Sequence, residues 1–118
     1  MTAANYNFTL EQGVPLSKTI LLKNSDNSVK DLTGFSAVMQ LRQYAGHPTV
    51  VLELSTANSK VNINTATGAV SMIFSASDTS TLSFLELAYD LVLVNGSQSF
   101  KALEGKISTI PAVTIVTI

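Results

Sequence analysis

LELAYDLVLVNGSQSFKALEGKI, residues 85–107, places two alternating runs on either side of Asn95-Gly96. In the first run Tyr89, Leu91 and Leu93 recur at every second position, interleaved with Asp90, Val92 and Val94. Successive side chains of a strand point to opposite faces, so a period of two marks a strand with one face packed inward. The second run, 99–107, sets Phe100 and either Ala102 or Leu103 against that face. An Asn-Gly dipeptide between alternating runs is a strong hairpin signal, because both residues tolerate positive φ. Two paired strands are therefore predicted here, and the rest of the chain is read around them.

Upstream the pattern repeats. YNFTL (6–10) reads as a first strand. PLSKTILLKN (15–24) reads as a second, with Leu16, Ile20 and Leu22 on one side, and NSDNS (24–28) as a polar turn. DLTGFSAVMQLRQ (31–43) opens with a turn and continues as a strand over 36–43. Its Ala37, Met39 and Leu41 point inward, so this stretch builds a wall and no site. YAGHP (44–48) is a loop, and TVVLELS (49–55) the next strand. KVNIN (60–64) pairs by hairpin with AVSMIFS (69–75) across TATG, where Gly68 supplies a positive φ. ASDTSTL (76–82) reads as a helical turn capped by Ser77 or Asp78. Short strands with turn residues about every 8–12 positions predict an all-β fold, an antiparallel β-sandwich of about eight strands with one short helical turn.

ISTIPAVTIVTI (107–118) breaks the alternation. It has no charge and no glycine, and beyond Pro111 it is apolar on both sides: Val113 and Ile115 on one, Val116 and Ile118 on the other. Edge strands normally carry Lys, Pro or a bulge that discourages pairing with other chains. Residues 112–118 thus either close the core of the sandwich formed by 1–111 or dock on a neighbouring subunit by strand addition.

Composition narrows the function. The chain has 118 residues, enough for one core, and only 13% of them are charged. That is about half the share usual in soluble domains, with Ser, Thr and Asn in place of the missing charges. Seven basic and eight acidic residues give a net charge of −1 without a basic block, so no nucleic-acid partner is expected. There is no cysteine for a disulfide or thiolate site. MTAANYNFTLEQG lacks the basic and apolar regions of a secretory signal, and no apolar run approaches membrane-spanning length, so no membrane partner is expected.

Catalytic and metal motifs are missing as well. His47 is the single imidazole, and neither a second His nor a Cys exists to join it on a metal. No G-x-S-x-G elbow, P-loop, G-x-G-x-x-G or calcium loop occurs, and the carboxylates form no paired-acid motif. A non-enzymatic protein without cofactor, metal or small-molecule substrate is expected. Tyr44 is the aromatic expected to stand exposed in a loop, and with His47 it forms a second candidate interaction point.

YNFTLEQG, DLTGFSAVMQLR, LELST, TGAVSMIFSASDTSTL and YDLVLVNGSQSFKALEGKI follow one another in this order. From about Tyr6 to Ile110 the chain resembles the immunoglobulin-like domains of tailed-phage virion proteins. It is similar to the N-terminal domain of phage baseplate upper proteins and to short stand-alone relatives encoded among phage tail genes. The resemblance implies an immunoglobulin-like sandwich in which Leu32 plugs the core, and Tyr89 is buried with its hydroxyl on a backbone acceptor. It also implies a virion structural protein of the tail, baseplate or fibre attachment point, held in symmetric copies by other virion proteins. Its location would be the virion, assembled in the host cytoplasm. A capsid decoration protein, or a cell-surface or carbohydrate-binding module using Tyr44 and His47, are the alternatives.

Overall fold

Period-two alternation turns into strands almost everywhere it occurs. The computed structural model describes residues 4–24, 26–82 and 86–110. In chain order these form β1 (Ala4–Asn5), β2 (Phe8–Glu11), β3 (Leu16–Leu21), β4 (Ser36–Arg42), β5 (Leu52–Ser55), β6 (Val61–Asn64) and β7 (Ala69–Phe74). A short helix α1 (Ala76–Ser80) leads to β8 (Glu86–Asn95) and β9 (Gln98–Ile110). One sheet runs β1-β9-β8-β4-β5, with β2 also on β9, and the other runs β3-β7-β6. Apart from the first strand this is the immunoglobulin arrangement, with β9-β8-β4-β5 as G-F-C-C′ and β3-β7-β6 as B-E-D. The segment 112–118, with Val113, Ile115, Val116 and Ile118, lies outside the described residues.

The core is the sum of the inward rows. Ala37, Met39 and Leu41 of β4 meet Leu87, Leu91 and Leu93 of β8 and, from the other sheet, Val70, Met72 and Phe74 of β7. Leu32 is fully buried as the plug ahead of β4, and Phe35 donates to its carbonyl at 3.0 Å. Each such side chain contributes about 1.5–3 kcal/mol of burial, which is how so lightly charged a chain is held together.

Three local expectations need correcting. The hairpin loop is Gly96-Ser97, one residue later than Asn95-Gly96, because Asn95 pairs with Gln98 as the last rung. Gly96 has φ +59 and stands first in the two-residue loop, where a type II′ turn demands glycine. The cap of α1 is Ser75, whose hydroxyl accepts from Asp78 N–H while the Asp78 carboxylate accepts from Ser75 N–H. The choice between Ala102 and Leu103 dissolves in a bulge: Leu91 faces Leu103 but Val92 faces Lys101, so both Ala102 and Leu103 point inward.

The first strand departs from the antiparallel pairing that holds in the rest of the sandwich. β1 and β2 instead run parallel to β9, with Asn5 opposite Glu104 and Phe8 opposite Ile107. The two are one strand in a single register, interrupted at Tyr6-Asn7 where it passes Gly105. Tyr6 N–H donates to the Glu104 carbonyl at 2.9 Å, and Lys106 N–H donates to Asn7 Oδ1 at 2.8 Å. The Tyr6 carbonyl turns inward and accepts from the buried Tyr89 hydroxyl. A Cβ on Gly105 would stand 2.2 Å from that carbonyl oxygen, so only glycine lets the strand approach. Burial first, and then Tyr6, push the Tyr89 phenol well above its ordinary range, which keeps it a donor.

Two outcomes follow from these contacts. Tyr89→Phe leaves the Tyr6 carbonyl without its donor and is expected to lower unfolding free energy in urea by about 1–2 kcal/mol, with the sandwich intact. Asp78 is nearly buried, which works to raise its carboxyl. The Lys60 ammonium, the Ser75 N–H and hydroxyl, and the Lys60 charge outweigh that and hold it below the usual carboxylate range. A depressed carboxyl gives stability that is present above its unfolded pKa of about 3.9 and lost as pH falls through the lower folded value. The melting temperature should therefore fall more steeply below about pH 4 in the natural chain than in Asp78→Asn, measured by circular dichroism.

Candidate functional site

Beyond β4 the chain leaves the sheet as a tight loop. His47 N–H donates to the Tyr44 carbonyl at 3.1 Å, and the two rings meet edge to face with centroids 4.8 Å apart. Arg42 donates to the His47 carbonyl, and Thr49 N–H donates to His47 Nδ1 at 3.1 Å. In the neutral ring that leaves the proton on Nε2. His47 is half-buried and braces the loop, while Tyr44 stands 59% exposed as its tip. The structure thus brings these two candidates together as an aromatic projection, with His47 as its support.

Tyr44 overlooks the outer face of the larger sheet, where most of the polarity is ionic. Arg42 donates to Gln40, and Gln40 donates to Glu53, both at 2.9 Å. Lys106 pairs with Glu86 at 3.4 Å, and Lys101 lies 3.4 Å from both Asp90 and Glu104. Glu104 and Lys106 share this face, yet each pairs elsewhere, Glu104 with Lys101 and Lys106 with Glu86. The bulge accounts for the first of these pairs. It shifts the alternation of β9 by one, so Lys101 and Glu104 share the outer face. There Lys101 separates two carboxylates that sit directly opposite each other, Asp90 and Glu104, an arrangement otherwise repulsive. The hydrogen bond and charge of Asp90, then those of Glu104, raise the Lys101 ammonium above its ordinary range. A shallow groove of about 700 Å³ runs between Tyr44, Arg42, Asp90, Lys101 and Asn7.

The opposite outer face has a different chemistry. β3 presents Ser17, Thr19 and Leu21, β7 presents Ala69, Ser71 and Ile73, and β6 presents Asn62 and Asn64. None of these eight side chains is charged. Leu21 is 59% and Ile73 40% exposed. Thr19 and Ser71, cross-strand partners, share a hydroxyl hydrogen bond at 2.9 Å. The larger sheet by contrast carries Glu11, Arg42, Glu53, Glu86, Asp90, Lys101, Glu104 and Lys106 outside, out of seven basic and eight acidic residues in the whole chain. Alternation in the sequence says that these positions face outward. It does not say which strands lie side by side, so the segregation of charge between two faces was not readable there.

Among the described residues no group of three or more His, Cys, Asp or Glu side chains is placed to hold a metal ion. Among the described residues of the charged face, Glu53 accepts from the Gln40 amide, and Glu86, Asp90 and Glu104 each lie beside a lysine. No protein-family model and no curated protein matches the sequence.

Proposed function

We propose that this chain is a structural component of a tailed-phage virion, working at the tail, baseplate or fibre attachment point through contacts with other virion proteins and without catalysis. The observation that carries the reading is the charge-free outer face of β3-β7-β6. Desolvating a charge is costly unless it is paired, whereas Ser, Thr, Asn and Ala surfaces with an occasional Leu or Ile can be covered by protein at little cost. The order of turns and strands that resembles phage tail and baseplate domains points the same way. The sequence of 112–118, uncharged and apolar at both alternating sets of positions, supports the same reading. Mass spectrometry of purified particles is expected to find the chain at fixed stoichiometry, and labelling should place it on the tail. Label on the head would favour a capsid decoration protein, and absence from intact particles would refute the virion reading.

One observation favours a second reading, a carbohydrate-binding module. An exposed tyrosine, braced by a histidine at the mouth of a groove lined with amide, carboxylate and guanidinium groups, matches how proteins stack and hydrogen-bond sugar rings. Saturable binding on a glycan array, lost in Tyr44→Ala, is the expected result under that reading. A blank array removes it.

A further inference from the structure

The edges of the two sheets differ in what they leave open. In the smaller sheet Leu22 N–H donates to the Gly68 carbonyl at 2.9 Å, in line with the register that sets Leu21 against Ala69. Hydrogen-bonded and non-bonded pairs alternate along an antiparallel ladder, so this phase commits the even residues of β3 to β7. Ser17, Thr19 and Leu21 turn their N–H and C=O groups to the outside, and β3 is the end strand of its sheet. No described residue accepts from or donates to those backbone groups. An open row of this kind is a template for another strand.

The other edges offer less. On β5, Asn58 takes the place of a neighbouring strand: its Oδ1 accepts from Ser55 N–H at 2.9 Å and its Nδ2 donates to the Glu53 carbonyl at 3.0 Å. On β6, Ile73 N–H donates to the Lys60 carbonyl, a phase that turns only Val61 and Ile63 outward. The openness of β3 follows from the first strand, which occupies β9 instead of lying beside β3.

We propose that the β3 edge is where a second copy of this chain docks, antiparallel, in a register centred on Thr19. The inference rests on the assembly reading above and names the surface and partner. Three open residues spaced by two have a midpoint, and the midpoint is Thr19. Placing Thr19 opposite Thr19 of the second copy sets Ser17 opposite Leu21 and Leu21 opposite Ser17. Each of the three pairs then exchanges two backbone hydrogen bonds, and nothing on the edge is left over. A twofold contact sets the same patch of the two copies face to face, so a patch of one charge sign there would meet like charge. Within the strands the outer positions that merge at this seam carry no charge, and Lys23 follows just beyond the end of β3. Lys18, the one cation of β3, is turned across the gap between the sheets, 6.0 and 5.9 Å from the ring centres of Tyr6 and Phe8. The result is one continuous six-stranded sheet, with Leu21 of each copy lying over Ser17 of the other.

Cysteine substitution tests the register in a chain that has no cysteine of its own. Directly opposed residues of a bonded pair have Cα atoms about 5.5 Å apart, within disulfide range. Thr19→Cys is expected to form a covalent dimer on mild oxidation of the full chain. Ser17→Cys alone stays unlinked, since its two copies lie about 13 Å apart along the strand, but links when mixed with Leu21→Cys. Thr19→Pro removes an N–H that β7 does not use. It should keep the β-sheet spectrum while weakening self-association at least tenfold by analytical ultracentrifugation. Equal cross-linking of Thr19→Cys and Ser17→Cys, or a purely monomeric natural chain at several hundred micromolar, overturns the proposal. So does a Thr19→Cys chain that links only after residues 111–118 are removed, which would give the edge to that segment. The measurements use isolated protein, so their failure leaves the virion reading standing, and absence from particles leaves a measured dimer standing.

Discussion

The carbonyl of Tyr6, held between the Tyr89 hydroxyl and the bare backbone of Gly105, decides which sheet the first strand joins. The strand could otherwise lie beside β3, as the first strand of an immunoglobulin constant-type sandwich does. Three groups far apart in sequence have to agree for it to lie on β9. Gly105 must lack a side chain, Tyr89 must reach across from its cross-strand position, and Asn7 must replace a backbone acceptor for Lys106. Once they do, Phe8 and Leu10 seal the core from the β9 side. β3 is left as an end strand, with the ammonium of its own Lys18 turned toward the rings of Tyr6 and Phe8. The same contact therefore closes the domain on one side and opens it on the other.

A second constraint acts on the outer faces. The bulge at Ala102 puts an extra apolar residue into the core and also re-phases β9, so that a lysine falls between two carboxylates that would otherwise face each other. Exposed ion pairs of this kind contribute little to stability. Their effect is to keep one face of the sandwich hydrated and unattractive to apolar partners, while the smaller sheet shows hydroxyls, amides and two large apolar side chains. A domain with so few charges has collected about half of them on one side. That asymmetry gives the molecule a front and a back.

Much of this architecture is legible in the sequence. Alternation in 36–43, 69–75 and 85–94 identifies inward residues because the strand period is two and the core accepts only apolar side chains, as Met39, Met72 and Leu91 illustrate. Leu32 before Gly34 announces its own burial. Features that depend on a distant neighbour are not legible. Nothing near Tyr6 says that its strand pairs with β9 in parallel, since the reason sits at Tyr89 and Gly105. The Asn95-Gly96 signal finds the hairpin but misplaces it by one residue, because the ladder continues through Asn95. Tyr44 is exposed as expected, but the bracing role of His47 depends on an Arg42 contact that spacing does not reveal.

Asn58 carries one more consequence. By filling the β5 edge with a side-chain amide that both donates and accepts, it ends the hydrogen-bond network of the larger sheet from within the same polypeptide. Strand added to strand along an open edge, the route by which β-rich chains run on into insoluble fibrils, is barred on that flank. The fold can tolerate a sticky border elsewhere because this one has been plugged.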